Sequence, residues 1–284
     1  MHKAGENFAL PYAEGLRCKL NSKLPLFFLL QSGVKSQIYK REVFMKKNRW
    51  FAVISAMVMA LAVAGCSDPS SGTGNSGVDY SKYQVGDFVL KDGTILSKDK
   101  TPEKDTVAAV IVRADTLTKP ALGVGIVHNN QSGFKWCKKS AAGYEIDISA
   151  LVGDETSGYM DGRDGWDKLK AACSDAESNP ENYPAWNYCR NYGANTGLEG
   201  DLATGWYLPT VAELYTIYQN KTAVNESLSK AGGSTFGTYC CYWSCCQYPS
   251  FNFNARVLNF YIGDMSNDGK YYNYGCVCSV RAFN

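Results

Sequence analysis

Short apolar runs divide the chain after residue 80 into strands, then helices, then strands again. Phe88–Leu96 places apolar residues on both sides of Asp92-Gly93, a pair typical of two-residue β-hairpin turns. Val107–Val112 and Leu122–Val127 are β-branched, apolar and bounded by polar residues, so they predict strands inside a buried sheet. The first part of the domain is therefore predicted to be β-structure.

Three helices are predicted next along the chain. The first covers residues 165–173, and the second covers Ala185–Tyr192 with Gly193 as its C-cap. The third begins at Thr210, because the Thr210 hydroxyl and the Glu213 carboxylate can each accept a hydrogen bond from a backbone amide at the helix start. This capping box is the clearest helix signal in the chain.

Strands return near the C-terminal end of the sequence. Tyr242–Ser244, Ala255–Tyr261 and Gly275–Phe283 predict strands, with turns at Gly263-Asp264 and Asn267–Gly269 between them. The succession of strands, helices and strands indicates an α+β fold rather than a doubly wound sheet.

The residues before this domain have the pattern of an export signal. Residues 45–50 are basic, residues 51–61 are apolar, and Val63–Cys66 has the small residues of a cleavage site. Cysteine directly after Ala-Gly resembles a lipobox, so Cys66 is predicted to carry the lipid anchor; an ordinary signal peptide is the alternative. Because such a signal normally stands first, Met45 is the expected start, and residues 1–44 are interpreted as a mis-assigned extension. The predicted location is the cell envelope, at the outer membrane or the cell surface.

Composition limits the classes of partner. Residues 66–79 are small and polar and predict a flexible lipidated linker. From Ser67 onward there are 19 Lys and Arg residues against 24 Asp and Glu residues, a net charge of −5, which argues against nucleic-acid binding. We expect an N-terminal hairpin at 80–104 and the main domain at 105–284, with an unusual region at about 236–284.

That region has the composition of a binding surface. Between Tyr239 and Cys278 about half the positions are Tyr, Cys, Phe or Asn, Glu is absent, and Lys occurs only at Lys270. Aromatic side chains supply contact area at little entropic cost, and Asn and Ser supply adaptable hydrogen bonds. The alternative is a Tyr-rich core, although a core normally uses more Val, Leu and Ile.

Ordered motifs then indicate a family. They are Gly205–Leu214, Tyr242–Ser244, Ala255–Phe260, Gly263, Lys270 and Val280–Phe283. Together they resemble the Lcl (Legionella collagen-like) C-terminal domain, one of the C-type-lectin-like folds related to formylglycine-generating enzymes. The resemblance covers about residues 105–284 and implies a C-type-lectin-like fold with small antiparallel sheets and two to four helices. Cys278 departs from the group, in which a basic residue is expected at that position.

Within this group the chain resembles the variable lipoproteins of diversity-generating retroelements, of the Treponema variable protein type. There, copying errors at template adenines change Asn codons to Tyr, Cys, Phe, Ser, Asp, Ile or Gly codons. The resemblance implies a variable ligand-binding surface of Tyr239, Cys240, Cys245, Cys246, Phe251, Phe253, Tyr261, Ile262, Tyr271, Tyr272 and Tyr274. It implies a framework of Trp206, Pro209, Thr210, Glu213, Trp243, Ala255, Phe260, Gly263 and Arg281.

Strand geometry explains how the variable and framework residues can coexist, because successive side chains point to opposite faces and one face can vary while the other holds the fold.

The expected partner is an unknown protein or glycan, bound by a monomer. An undiversified member of the same group and an unrelated fold are the alternatives, as is a structural envelope protein without a specific partner.

Enzymatic chemistry has little support in the sequence. No catalytic residue, metal site or cofactor is predicted. A zinc site is not expected, because the adjacent pairs Cys240-Cys241 and Cys245-Cys246 do not match zinc-ribbon spacing. A copper oxidase like the formylglycine-generating enzymes, using paired C-terminal cysteines, is the enzyme alternative. Cys173 with Cys189 is the candidate structural disulfide.

The remaining chemistry-bearing residues have structural interpretations. His128 stands among apolar residues and is predicted to be packed rather than to act as a base. Asp161, Asp164 and Asp167 lack an EF-hand pattern and predict a turn and a helix cap. Core or framework positions are expected for Trp166, Trp186 and Trp206, with a sugar platform as the alternative.

Overall fold

The computed structural model describes residues 82–237 and 240–284, and ten strands in that part of the chain form two five-stranded sheets. The first sheet contains β1 (Phe88–Leu90), β2 (Ile95–Leu96), β3 (Val107–Arg113), β4 (Ala121–Gly125) and β10 (Val280–Phe283). Its order is β10-β4-β3-β1-β2, and all neighbours are antiparallel. The predicted hairpin is confirmed, and it is joined to the main domain because β1 pairs with β3.

The second sheet contains β5 (Asn129–Phe134), β6 (Cys241–Gln247), β7 (Asn254–Asn259), β8 (Met265–Gly269) and β9 (Gly275–Val277). Its order is β5-β9-β6-β7-β8. The β6–β9 pair is parallel and the other neighbours are antiparallel, so this sheet is mixed. Strand β6 therefore occupies the centre of the sheet.

Five α-helices lie in the described residues: α1 (Gly165–Ala172), α2 (Pro184–Arg190), α3 (Tyr192–Asn195), α4 (Val211–Gln219) and α5 (Lys221–Lys230). The α+β prediction is confirmed, but the expected number of helices, two to four, is too low. Val224 and Leu228, which lie four residues apart, are the only large apolar residues of helix α5, and both are buried. An apolar stripe this narrow gives little periodic signal.

The capping box at the start of α4 is confirmed. The Thr210 hydroxyl accepts the Glu213 amide proton at 3.1 Å, and the Glu213 carboxylate accepts the Thr210 amide proton at 2.8 Å. The same carboxylate accepts a hydrogen bond from the Tyr207 hydroxyl at 2.8 Å. Burial raises the pKa of Glu213. Helix α4 is thus fixed at its first turn to the segment that precedes it.

Gly193 does not act as a C-cap, because it lies inside α3. A Cβ atom at this position would lie 2.1 Å from the carbonyl oxygen of Ala203. Close approach between two backbone segments therefore explains the glycine, and helix termination does not.

The strand prediction is wrong at two places in the C-terminal part. Residues 267–269 belong to β8, because pairing with β7 extends the backbone through residues that favour turns. Gly275–Phe283 is two strands, since β9 pairs in the second sheet and β10 pairs with β4 in the first. The chain passes from one sheet to the other at residues 278–279.

Hydrophobic clusters cover both faces of the central strands. On β3, Val110 and Val112 pack in a cluster with Leu214, whereas Ile111 packs on the opposite side with Trp206. Burial on both faces accounts for the continuous apolar run that predicted this strand. No helix among the described residues is long and apolar enough to cross a membrane. The predicted leader, including Cys66, lies outside the described residues.

Candidate functional site

Exposed aromatic side chains gather at one end of the second sheet, on the β6–β7 and β8–β9 loops. Phe251, Phe253 and Tyr274 expose 52%, 47% and 59% of their surface. Large apolar side chains this exposed are unusual when several adjoin one another. We name this surface the aromatic end and define it as Tyr144, Tyr248, Phe251, Phe253, Tyr271, Tyr272 and Tyr274.

A closed turn presents the phenylalanines. The Tyr248 amide donates to the Asn254 carbonyl at 3.1 Å, and the Asn254 amide donates to the Phe251 carbonyl at 3.0 Å. The Phe251 ring lies 6.0 Å from the Tyr248 ring and 5.9 Å from the Phe253 ring, measured between centroids. The turn thus holds three aromatic rings together at the surface.

Tyrosines form the other half of the aromatic end. The Tyr271 and Tyr272 ring centroids are 4.2 Å apart, and those of Tyr272 and Tyr274 are 5.2 Å apart. Tyr144 meets Tyr271 edge-on at 5.7 Å, although it belongs to a loop more than 120 residues earlier in the chain. The tyrosines therefore come from two separate segments.

Backbone hydrogen bonds join these loops. The Lys270 amide donates to the Phe253 carbonyl at 2.8 Å, which places the phenylalanine turn beside the tyrosines. The Lys270 carbonyl accepts the Cys137 amide proton at 3.0 Å and so ties in the loop that carries Tyr144. Three loops thus share one attachment point.

The Lys270 side chain lies beneath the aromatic end and is fully buried. Its ammonium donates to the Gly143 carbonyl at 2.7 Å and to Gln247 Oε1 at 3.0 Å, and it lies 4.8 Å from the Trp136 ring centroid. Burial lowers the pKa of Lys270 to about 8. Gln247 in turn donates to Asp147 at 3.2 Å. This buried polar network fixes the supporting loops relative to the central strand β6.

Two cations and a cavity border the aromatic end. The Lys139 ammonium lies 4.1 Å from the Tyr271 centroid, and the Arg256 guanidinium lies 4.6 Å from the Tyr248 centroid. Contacts of this kind hold a cation on a ring face. Beside Tyr144 is a cavity of about 440 Å³ lined by Lys139, Ala141, Ala142, Tyr144 and Glu145. The surface can therefore offer apolar contact together with polar and charged groups.

The predicted variable residues divide into four groups. Phe251, Phe253 and the three tyrosines 271, 272 and 274 form most of the aromatic end. Tyr261 and Ile262 are exposed, at 59% and 54%, but they lie in the β7–β8 turn. Six strand residues separate that turn from the aromatic end, a distance of about 20 Å. Tyr239 lies outside the described residues.

The fourth group is Cys240, Cys245 and Cys246, and the prediction that these cysteines belong to an exposed surface is wrong. Cys245 and Cys246 have no exposed surface, and Cys240 exposes only 9%. The Cys240 thiol donates to the Asn130 carbonyl at 2.7 Å. Alternation on β6 does not expose one face, because this central strand is covered on both sides: Cys245 packs in one cluster and Tyr242 in the other.

The residues predicted as framework occupy interior or anchoring positions. Trp206 and Trp243 are buried, and their indole N–H groups donate to the carbonyls of Leu202 and Phe134 at 2.7 and 2.8 Å. Pro209, Thr210, Glu213, Ala255 and Phe260 are also buried.

Two further framework residues, Gly263 and Arg281, are explained by the backbone: Gly263 by its conformation and Arg281 by its hydrogen bonds. Gly263 has φ +75°, and a Cβ atom there would lie 2.3 Å from the Tyr218 ring. Arg281 donates to the carbonyls of Thr204 and Asp201 at 2.9 and 2.8 Å. Cys278, at the position where the family resemblance predicts a basic residue, is fully buried.

Other predicted features have structural roles. Asp161 caps a short helical turn by accepting the Arg163 amide proton, as expected for a turn and cap. His128 is buried and stacks on Phe236 with 4.4 Å between centroids, so it is a packed residue. The predicted Cys173–Cys189 disulfide is absent, since all nine cysteines in the described part of the chain are free.

Two further alternatives from the sequence concern a metal site and a tryptophan platform for sugars. No group of three or more His, Cys, Asp or Glu side chains within the described ranges is placed to hold a metal ion. Trp166, Trp186 and Trp206 expose 9% or less and pack as core residues.

Sequence reasoning missed four contributors to the surface: Lys139, Tyr144, Tyr248 and Arg256. Tyr248 lies within the aromatic tract and could have been included. Lys139 and Tyr144 join the site only through contacts distant in sequence, which no local pattern indicates.

Comparisons with known proteins bear only on the fold. No protein-family model matches the chain, and no curated protein matches it. A fimbrial protein from Bacteroides ovatus is similar in structure, with a TM-score of 0.51 and 15% sequence identity. The alignment covers 71% of this chain and 49% of the fimbrial protein, so the match spans about half of that protein. The likeness concerns the α+β architecture.

Proposed function

We propose that this chain is a lipid-anchored protein of the cell envelope whose folded domain binds another macromolecule through the aromatic end. The observation that carries the proposal is the cluster of exposed and half-buried aromatic rings on three loops, which one buried network holds together. Exposed apolar patches of this kind mark interaction sites more often than catalytic sites. Tyr and Phe rings also bury a large area on binding and lose few rotameric states.

The proposal includes a C-type-lectin-like fold and display at the outer membrane or cell surface. Two small sheets that carry a loop-built surface at one end support the first part, and the lipobox-like Cys66 supports the second. The partner class stays as predicted from sequence, a protein or a glycan, and no catalytic step is proposed.

An unbiased selection tests the binding function. The full chain is screened against phage-displayed random peptides and against a glycan array, and retained ligands are re-tested on Phe253→Ala/Tyr271→Ala/Tyr272→Ala. We expect retained ligands to bind this variant at least about ten-fold more weakly, because truncating buried aromatic anchors commonly costs 2 kcal/mol or more.

The control is Tyr261→Ala/Ile262→Ala, which removes exposed apolar side chains at the other end of the β7–β8 hairpin. This variant should keep its ligands. Failure of the wild-type chain to retain any ligand, or equal losses in both variants, would contradict the proposal.

Diversification by a retroelement is a separate proposal. It predicts a near-copy of the 3′ coding end beside the gene, with adenine-rich codons at the variable positions and a reverse transcriptase gene nearby. Because Cys245 and Cys246 are core residues, codon changes at those positions should be restricted to small side chains in functional variants. Sequencing the flanking DNA and a population of variants tests both statements.

A further inference from the structure

Two cations at the aromatic end lack a carboxylate partner. The described salt bridges involve Arg163, Lys168 and Lys170 and none involves Lys139 or Arg256. Arg256 Nε is also buried without a hydrogen-bond partner. Lys139 is exposed and Arg256 is half-buried. Because no described carboxylate pairs with either side chain, both cations can contact a bound anion at the surface.

Four carboxylates lie on these loops or next to them, and none of the four forms a salt bridge with these cations. Glu145 is exposed and lines the cavity beside Tyr144, and Asp268 accepts the Gly269 amide proton at 2.8 Å. Asp147 accepts a hydrogen bond from Gln247, and Asp175 accepts the Ala142 amide proton. Partial burial raises the pKa of Asp268.

Hydrogen-bond donors predominate at this surface. The ammonium of Lys139 and the guanidinium of Arg256 can only donate, and the five tyrosine hydroxyls of the aromatic end can each donate one proton. A carboxylate, which only accepts, is the matching ligand group. The rings between the cations are suited to apolar side chains.

Ring geometry favours a peptide over a polysaccharide. The Tyr271 and Tyr272 planes are inclined by 47°, those of Tyr272 and Tyr274 by 31°, and those of Phe251 and Phe253 by 43°. The Tyr248 and Phe251 planes are within 11° of parallel. Since most neighbouring rings are tilted, the surface suits separate side chains of a peptide better than a row of stacked sugar rings.

We infer that the partner at the aromatic end is an acidic protein segment in which carboxylates alternate with apolar or aromatic side chains. Its carboxylates contact Lys139 and Arg256, and its apolar side chains cover the rings between them. This inference rests on the proposed binding function and adds the chemistry of the partner.

Synthetic polymers provide the test. Binding of the full chain to a random copolymer of Glu and Tyr is measured by biolayer interferometry, beside a copolymer of Lys and Tyr and beside polygalacturonate. We expect the Glu/Tyr copolymer alone to bind, and its affinity to fall as salt is raised. Lys139→Gln/Arg256→Gln should weaken binding about ten-fold, and Lys139→Arg should retain it.

The matched control is Lys91→Gln/Lys119→Gln, which removes two exposed lysines next to the first sheet and should leave binding unchanged. Equal binding of the Lys/Tyr copolymer, preference for polygalacturonate, no binding at all, or an unaffected Lys139→Gln/Arg256→Gln variant would overturn the inference. If the unbiased selection then still yields neutral or basic ligands of the aromatic end, the proposed function stands without an acidic partner.

Discussion

At the residue scale, the geometry of the aromatic end depends on Lys270. Its ammonium and carbonyl contact the loop that carries Tyr144, and its amide contacts the β6–β7 loop, so it joins both to its own loop. The side chain is buried although it is charged near neutral pH, with a pKa lowered to about 8. Burial of a lone ammonium is costly, so a lysine is expected here only where several acceptors surround it.

Lys270→Met should lower the free energy of unfolding by about 2 kcal/mol, because the Gly143 carbonyl and Gln247 Oε1 lose their donor in a buried site. Urea denaturation measures the change, with the exposed Lys119→Met as the control. Lys270→Met should also weaken ligand binding at the aromatic end, because the loop that carries Tyr144 loses the hydrogen bond between Lys270 and the Gly143 carbonyl. A variant with unchanged stability would show that the network is dispensable.

His128 gives the domain a predicted acid sensitivity. Burial lowers its pKa from 6.5 to about 4, so between these values the unfolded chain binds a proton that the folded chain does not. The His128 contribution to the free energy of unfolding is therefore complete above pH 6.5. It falls by about 3 kcal/mol in total as the pH is lowered toward 4.

His128→Gln should flatten this part of the stability profile. The comparison uses urea midpoints of both proteins at several pH values between 7 and 4. Parallel profiles would mean that His128 does not titrate as its burial implies.

Single-residue patterns predicted burial better than exposure. The tryptophans at 186, 206 and 243 are in the core as their type suggests. The resemblance to retroelement variable proteins predicts Cys245 and Cys246 at the surface, but both are buried, because β6 is covered on both faces. Tyr144 and Lys139 depend on contacts across more than 120 residues, so their place at the site could not be found from sequence alone.

At the element scale, the start of helix α4 carries a prediction. Thr210→Ala removes the hydroxyl that accepts the Glu213 amide proton and should cost about 1 kcal/mol of stability. Thr210→Ser keeps the hydroxyl and should retain most of the stability. Thermal or urea unfolding measures the stability of both variants. Equal losses of stability in Thr210→Ala and Thr210→Ser would show that side-chain packing, and not the capping hydrogen bond, is responsible.

Elements with a local signal were predicted from sequence, and elements whose form depends on their pairing partners were not. The Asp92-Gly93 hairpin and the capping box each depend on a few adjacent residues, and both are present. Strand β8 has a turn-like sequence and is extended only because β7 pairs with it over five residue pairs. The division of Gly275–Phe283 between two sheets follows from tertiary packing, which has no local sequence signature.

At the scale of the whole molecule, the proposed anchor sets where the domain works. Cys66→Ser should abolish incorporation of a labelled fatty acid and release the protein from membranes, because the thiol is the only acceptor in the lipobox-like segment. Labelling and membrane fractionation measure the outcome, with Ser70→Ala in the predicted linker as a control outside the segment. Retained labelling in Cys66→Ser would place the anchor elsewhere.

The crossing of the chain between sheets at residues 278–279 constrains how this protein matures. Strand β9 fills an interior position of one sheet and β10 closes an edge of the other, so neither sheet can be completed before residues 275–283 have been synthesised. A nascent chain therefore lacks its finished core during most of translation. If the chain is exported as proposed, this dependence on its last residues would favour an unfolded polypeptide during translocation and native assembly after it has crossed the membrane.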